Sequence, residues 1–282
     1  MPDLDLPSIA KVLQSHGLRT QKKFGQHFLF DLNLTEKIVR LAGISADDFV
    51  FEIGPGPGGL TRPLLATGAK VFAIETDSRF EPILQQLHDH FENRLSWVLD
   101  DALKINLDLL ADGKPYQIVA NLPYNVGTAL LINWLTAAQP NWTALTLMFQ
   151  LEVAQRIVAR PTDAHYGRLS ILTAAMAEAN LIMKVPASAF TPPPKVESAV
   201  VHLTPLPKTK RFDDLDTLAR LTGLAFGQKR KMLRASLKPL NEELGEDISI
   251  WLQNIGIDPK ARPETLSPNE FMKMANQLRA KL

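Results

Sequence analysis

The amino-acid sequence predicts an α/β fold, a parallel sheet of βαβ units with helices on both sides, followed by a small all-α C-terminal domain. Three observations carry that expectation. Short apolar runs rich in β-branched and aromatic residues alternate with stretches of helical spacing as far as about residue 205. A glycine-rich turn follows the first of these runs and opens a helix. From residue 206 onward helical spacing persists while the strand signal is gone.

The elements follow in order. "FVFEI" (49 to 53), "KVFAI" (70 to 74), "LSWVL" (95 to 99), "YQIVAN" (116 to 121) and "ALTLMF" (144 to 149) each read as a strand buried on both faces. Between them lie the helical patterns "LTRPLLATGA", "SRFEPILQQLHDHF" and "VGTALLINWLTAA". Beyond residue 150 come two further helices, "LEVAQRIVAR" and "GRLSILTAAMAEA". The strands "LIMKV" and "SAVVHL" then flank the loop "PASAFTPPPKVE", whose consecutive prolines hold it extended. The domain boundary is placed near 205: residues 1–205 form the α/β domain, with 1–20 an extension of no assigned function, and 206–282 a bundle of three or four helices.

Composition narrows the function classes. The chain has no cysteine, which removes disulfides, thiolate nucleophiles and thiolate metal sites and suits a reducing cytosol. His88 and His90, two apart on a helix, face different ways, so no metal site is expected. The N-terminus lacks the basic and apolar regions of a signal peptide, and no apolar run reaches the roughly 18 residues of a membrane span. A cytoplasmic protein is expected. Net charge is +1, but its distribution is uneven: residues 1 to 205 carry 17 Lys and Arg against 20 Asp and Glu, residues 206 to 282 carry 14 against 10. "GQKRKMLRASLKPL" places Lys229, Arg230, Lys231, Arg234 and Lys238 on about three helical turns. That face is either merely solvated or built for phosphates.

In "FEIGPGPGGLT", Gly54, Gly56 and Gly59 satisfy G-x-G-x-x-G, and Glu75 ends the second strand where a ribose-binding acid belongs. A nicotinamide dehydrogenase is one reading. Two details weigh against a pyrophosphate. Pro55 and Pro57 have no N–H, which removes two backbone donors from the loop. Glu52 at the strand end would repel a phosphate, whereas it suits an ammonium or sulfonium. Both favour S-adenosylmethionine, which has a ribose for Glu75, a cationic amino-acid end and no phosphate. Asp101, at the end of the third strand, is placed either to accept from the cofactor's adenine amino group or to cap a helix.

The fourth strand ends in "NLPY". A plain turn would use Gly, Asp or Ser rather than an amide and a phenol around Leu-Pro. The pattern suits methylation of an exocyclic amine, whose lone pair is delocalised into its ring. The Asn121 amide oxygen, with the Leu122 carbonyl, could bond the amine hydrogens and aim the nitrogen, while Tyr124 stacks on the flat base.

N-L-P-Y together with "EIGPG" resembles the ribosomal RNA adenine N6-dimethyltransferases. The resemblance extends over "KKFGQHFLFD" (22 to 31), "MFQLEVAQRI", "YGRLS", "FTPPPKVESAVV" (190 to 201) and "FGQKRKMLRASL" (226 to 237). Within the family it is most similar to the bacterial enzymes that dimethylate two adjacent adenosines near the 3′ end of 16S rRNA. It implies a class I S-adenosylmethionine-dependent methyltransferase domain, Rossmann-like, with a seven-stranded mostly parallel sheet and an antiparallel last strand. Carried over by motif, Gln26, His27 and Leu29 lie against S-adenosylmethionine, Gly54 and Gly56 approach its methionine part, Glu75 its ribose and Asp101 its adenine. Asn121 lies between cofactor and target, Tyr124 stacks on the target adenine, and Phe190 covers the other face. Lys195, Lys229, Arg230, Lys231 and Arg234 become candidates for RNA contact. The implied partner is 16S rRNA within the small ribosomal subunit or its precursor, met by a monomer. The sequence departs from the common pattern at His27, where many relatives have Asn, at Pro57 and at Asp100.

Overall fold

The computed structural model describes residues 6–18, 27–137, 140–228 and 231–281. Seven strands build the main sheet: β1 (Phe49–Ile53), β2 (Lys70–Glu75), β3 (Leu95–Leu99), β4 (Tyr116–Asn121), β5 (Trp142–Gln150), β6 (Ala177–Val185) and β7 (Ser198–Pro205). Their spatial order is β3-β2-β1-β4-β5-β7-β6. The first five run parallel, with Phe51 beside Phe72 and Ile118 and with Val119 beside Thr146, whereas β7 is antiparallel to β5, pairing Val201 with Leu147. The chain builds outward from β1 to β3, then returns to lay β4 on the other side of β1. That reversal opens a crevice at the C-terminal ends of β1 and β4, where open α/β sheets bind ligands.

The central strands are closed on both faces because helices cover both, and Val50, Phe51, Ile118 and Val119 have no exposed surface. β3 departs from the expected two-sided burial: Ser96 is exposed and Leu99 is 37% exposed. It is the sheet's edge, with a neighbour on one side only. The segment 6–18 belongs to the same core. Ser8 caps the helix Ile9–Ser15, whose Ile9, Val12 and Leu13 are buried, and the buried Arg62 Nη1 donates to the Pro7 carbonyl at 2.7 Å.

Two compact units divide the chain: Met1–Ala154 with Asn180–Pro205, and Gln155–Ala179 with Leu206–Leu282. The boundary expected near 205 is where β7 ends, but residues 155–179, assigned by sequence to the first domain, pack with the C-terminal helices. The reasons are local. The helix Arg168–Met176 buries Ile171, Ala175 and Met176, Ala175 and Met176 accept backbone bonds from Phe212 and Leu206, and the Tyr166 hydroxyl donates to Leu266 at 2.8 Å. The second unit also holds the helices Leu215–Phe226, Ile248–Asn254 and Pro268–Arg279 and the single turns Leu233–Ser236 and Asn241–Leu244.

The basic stretch is not a three-turn helix. Met232 has an extended backbone (φ −68°, ψ 155°), and the N–H groups of Leu233 and Arg234 donate to the carbonyls of Ala261 and Pro259 instead of to a preceding turn. One helical turn and a 3-10 turn over Lys238–Leu240 are what remain. Lys231, Arg234 and Lys238 are exposed. Lys229 and Arg230 lie outside the described residues.

Candidate active site

The glycine loop leaves β1 and turns under constraint. Gly56 has φ +53°, a region that L side chains rarely adopt, and an added Cβ would meet the Phe28 ring at 3.0 Å. At Gly59 a Cβ would sit 2.5 Å from the Leu29 carbonyl oxygen, so the helix start can approach the segment Phe28–Leu29 only as glycine. The backbone donors from 54 to 58 are all engaged. Gly54 N–H donates to Ile74 at 2.9 Å, Gly56 N–H to Glu75 Oε2 at 3.0 Å and Gly58 N–H to Pro55 at 3.0 Å. With prolines at 55 and 57, no backbone N–H from 54 to 58 is left to cradle a pyrophosphate.

Glu75 closes β2 and is nearly buried. Its Oε1 accepts from Thr76 N–H at 2.8 Å and Asp77 N–H at 2.9 Å, and its Oε2 from Gly56. Burial pushes its pKa up despite these three bonds, which pull the other way. Glu52 at the end of β1 is 1% exposed, and its Oε2 has no hydrogen-bond partner. Burial pushes it up to about 8, helped by the nearby Glu75 charge. The Thr61 hydroxyl pulls it down without closing a hydrogen bond of ordinary geometry.

A cavity of about 290 Å³ opens beside these groups, lined by Gly54, Gly56 and Glu75 on one side and by Asn121, Leu122 and Tyr124 on the other. Asp100 and Asp101 also line it. Asp101 Oδ1 accepts from Leu103 N–H at 3.0 Å, so one of its oxygens does cap the turn that follows. His27 lines the cavity, while Leu29 and Glu52 do not; they line an adjoining pocket of about 30 Å³ that shares Gly54 and Asn121 with the larger one. Gln26 lies outside the described residues.

Asn121 Nδ2 donates to the His27 carbonyl at 3.0 Å, which fixes the amide's orientation and leaves Oδ1 as an acceptor on the cavity wall. The Tyr124 hydroxyl meets Ser198 Oγ at 2.7 Å, and burial raises its pKa. The His27 ring stacks on Tyr124, centroids 5.5 Å apart and planes 27° apart, and its Nδ1 donates to the Pro192 carbonyl at 2.7 Å.

Phe190, expected over the second face of the target base, lies away from the cavity wall in the ligand-free protein. It is 3% exposed, pairs with Leu29 in a two-stranded antiparallel ribbon, and packs in the hydrophobic core rather than lining the cavity. The ribbon's pleat turns Phe190 inward; the aromatic ring that faces Tyr124 is His27. Lys195 is exposed on the loop that follows the ribbon. Sequence reasoning missed Phe28, Thr76 and Asn125, which line the cavity, and Ser198, which touches Tyr124 from 74 residues away. Asn125 and Thr76 directly follow residues that were read as functional, a usable signal; Ser198 has none short of the sheet register. Among the described residues no group of His, Asp or Glu is arranged to hold a metal.

The sequence and the fold have relatives among known proteins. The model of the ribosomal RNA adenine dimethylase family matches residues 17–280. The ribosomal RNA small subunit methyltransferase A of Allorhizobium ampelinum is 54% identical over 276 residues, 97% of this chain and 98% of the relative. The protein of the same name from Phenylobacterium zucineum is 51% identical over 273 residues, 96% and 92% of the two chains. Among solved structures, a dimethyladenosine transferase from Plasmodium falciparum is similar with a TM-score of 0.76 and 28% identity, covering 90% of this chain and 98% of that one. The 23S rRNA methyltransferase ErmE gives 0.65 and 25%, covering 89% and 99%. With a family model matched over nearly its whole length and relatives above half identity, the chain belongs to the ribosomal RNA adenine dimethylase family.

Proposed function

We propose that the protein methylates N6 of two adjacent adenosines near the 3′ end of 16S rRNA, using S-adenosylmethionine and giving N6,N6-dimethyladenosine. The observation that carries the site assignment is Asn121, a wall residue like Tyr124: one of its amide hydrogens goes to the His27 carbonyl, which orients the amide and leaves its oxygen as an acceptor. A target amine needs that acceptor, because its hydrogens must be bonded for the nitrogen lone pair to localise and point. Tyr124 offers the π-face that holds the base, which has to leave its RNA stack to reach it. Once alkylated, the nitrogen gives its proton to water, and no covalent enzyme intermediate is needed.

The residues fit S-adenosylmethionine better than a dinucleotide. Every N–H from 54 to 58 is engaged, Glu75 and Asp101 keep acceptor capacity on the cavity wall, and the unpartnered Glu52 oxygen is matched to a cationic amino group. When bound, the cofactor supplies an electrophilic methyl carbon on its sulfonium. Mass-spectrometric mapping of adenosines after incubation with under-methylated small subunits tests the reaction, target and product together; absence of dimethyladenosine overturns the reading. Calorimetric titration that finds binding of NAD and none of S-adenosylmethionine overturns it in favour of a dehydrogenase.

Glu52 makes cofactor binding depend on pH. With its pKa at about 8 it is mostly protonated at neutral pH, and a cation beside it favours the ionised form. Affinity therefore rises as pH climbs towards about 8, and binding near neutrality releases a proton. Titration in buffers of differing ionisation enthalpy reads that proton, and Glu52→Gln removes it. In the ligand-free protein the sign reverses. The folded pKa lies above the ordinary 4.5, so the cost of the buried charge is absent below that value and grows as pH rises towards 8, lowering stability.

Lys195, Lys231 and Arg234, with Lys229 and Arg230, serve as phosphate contacts that dock the protein, as a cytoplasmic monomer, on the small ribosomal subunit. Charge reversal at Lys231 and Arg234 together weakens particle binding by roughly tenfold or more at low salt and by less at high salt. Filter binding across a salt series measures it.

A further inference from the structure

We propose that Ser198 is a positioning residue that holds the Tyr124 ring at the angle the target base requires, an inference that rests on reading Tyr124 as the adenine platform. Ser198 opens β7 with no exposed surface, and the antiparallel register sets it opposite Gln150 of β5. The residue before it is tied as well, because Glu197 accepts a backbone bond from Leu151 at 2.9 Å. The Oγ is thus fixed by the sheet. Tyr124 has no such frame of its own: it sits in the turn after β4, partly buried, with one side on the cavity. The 2.7 Å bond at the far end of the ring removes the swing that two side-chain torsions would allow.

This accounts for a phenol where stacking needs only a π-face. Phenylalanine would stack on a base equally well, since the contact is with the ring. What it lacks is the hydroxyl that meets Ser198. The same loop braces the other half of N-L-P-Y. Pro192 accepts from His27 Nδ1, and the His27 carbonyl accepts from Asn121 Nδ2, so the segment 192–198 is tied to Asn121 through His27 and to Tyr124 through Ser198. The proline run is thereby a brace for the two substrate-facing side chains.

The test is a double-mutant cycle with Ser198→Ala, Tyr124→Phe and the pair, each followed by steady-state methyl transfer to under-methylated small subunits and by thermal melting of the ligand-free protein. Each single change lowers kcat by about tenfold, the worth of one hydrogen bond, and leaves the particle KM within about twofold. The pair is no slower than Tyr124→Phe alone, and the melting shifts of the two single changes do not add. S-adenosylmethionine affinity, measured by calorimetry, stays at the wild-type value. A Ser198→Ala protein with wild-type kcat overturns the proposal. So does a pair slower than Tyr124→Phe by the full Ser198→Ala factor, which would show Ser198 acting on the fold and not through the phenol. Wild-type protein that transfers no methyl group fails the reading of the site itself, and the melting cycle still reports the Ser198–Tyr124 bond on its own.

Discussion

Replacing Asn121 with alanine lowers kcat for methyl transfer by about 10²- to 10³-fold, the usual cost of removing a preorganised polar group that acts on developing charge. S-adenosylmethionine binding, read by calorimetry, falls far less. The split follows from the geometry. Asn121 Oδ1 is held ready by the Nδ2 bond to the His27 carbonyl, so the acceptor needs no reorganisation when the amine arrives. Alanine removes both the acceptor and the tie to residue 27. Asn121→Asp separates the two losses, since it keeps oxygens at the cavity wall but sets a carboxylate against the His27 carbonyl where a donor stood. It is expected to be nearly as slow as alanine, with the additional mark of a lowered melting temperature. An Asn121→Ala protein within threefold of wild-type kcat, or so, would remove Asn121 from the chemistry.

The parts of this molecule legible in the sequence are those where a local pattern has one physical outcome. Phe49–Ile53 and Tyr116–Asn121 are apolar on both faces because both faces are covered, and they read as central strands. β3 has much the same composition but lies at an edge, and position in a sheet is set by long-range order that composition does not encode. The helix Arg168–Met176 was legible as a helix, yet its apolar face does not say which neighbour it will bury, and it packs with the C-terminal unit. The strand that follows it starts at Ala177, before any β-branched residue, where "AEAN" has no strand preference of its own. In the site, Gly54, Gly56, Glu75, Asp101, Asn121 and Tyr124 all end or follow successive strands, and the parallel sheet brings such positions to one edge. The inward turn of Phe190 is not legible, because a proline-rich loop announces stiffness without direction. Only its pairing with Leu29 decides that the ring enters the core.

Glu75→Ala is expected to lower S-adenosylmethionine affinity by at least about 100-fold and to depress the melting temperature of the ligand-free protein. The carboxylate does two jobs at once. It is placed on the cavity wall for the ribose hydroxyls, and it accepts the N–H groups of Gly56, Thr76 and Asp77. Those donors shape the glycine loop against the end of β2, and an unsatisfied buried donor costs about 1–3 kcal/mol, less where water can enter. Thr76 is exposed and can turn to solvent, whereas Asp77 and Gly56, the latter in a left-handed conformation, are buried. The glycine loop and the turn after β2 are therefore the parts that suffer. Glu75→Gln sharpens this. Its one carbonyl oxygen can keep the pair from Thr76 and Asp77 or the bond from Gly56, but the amide NH₂ faces a donor on the other side. Affinity loss between about tenfold and 100-fold follows, with a smaller melting shift than for alanine, because only one end of the carboxylate is spoiled. Titration calorimetry and melting curves on the two variants separate the roles. If Glu75→Gln binds the cofactor like wild type while Glu75→Ala does not, the acid's negative charge is dispensable and its work is to hold the loop. If both bind like wild type, the cavity is not where the cofactor goes.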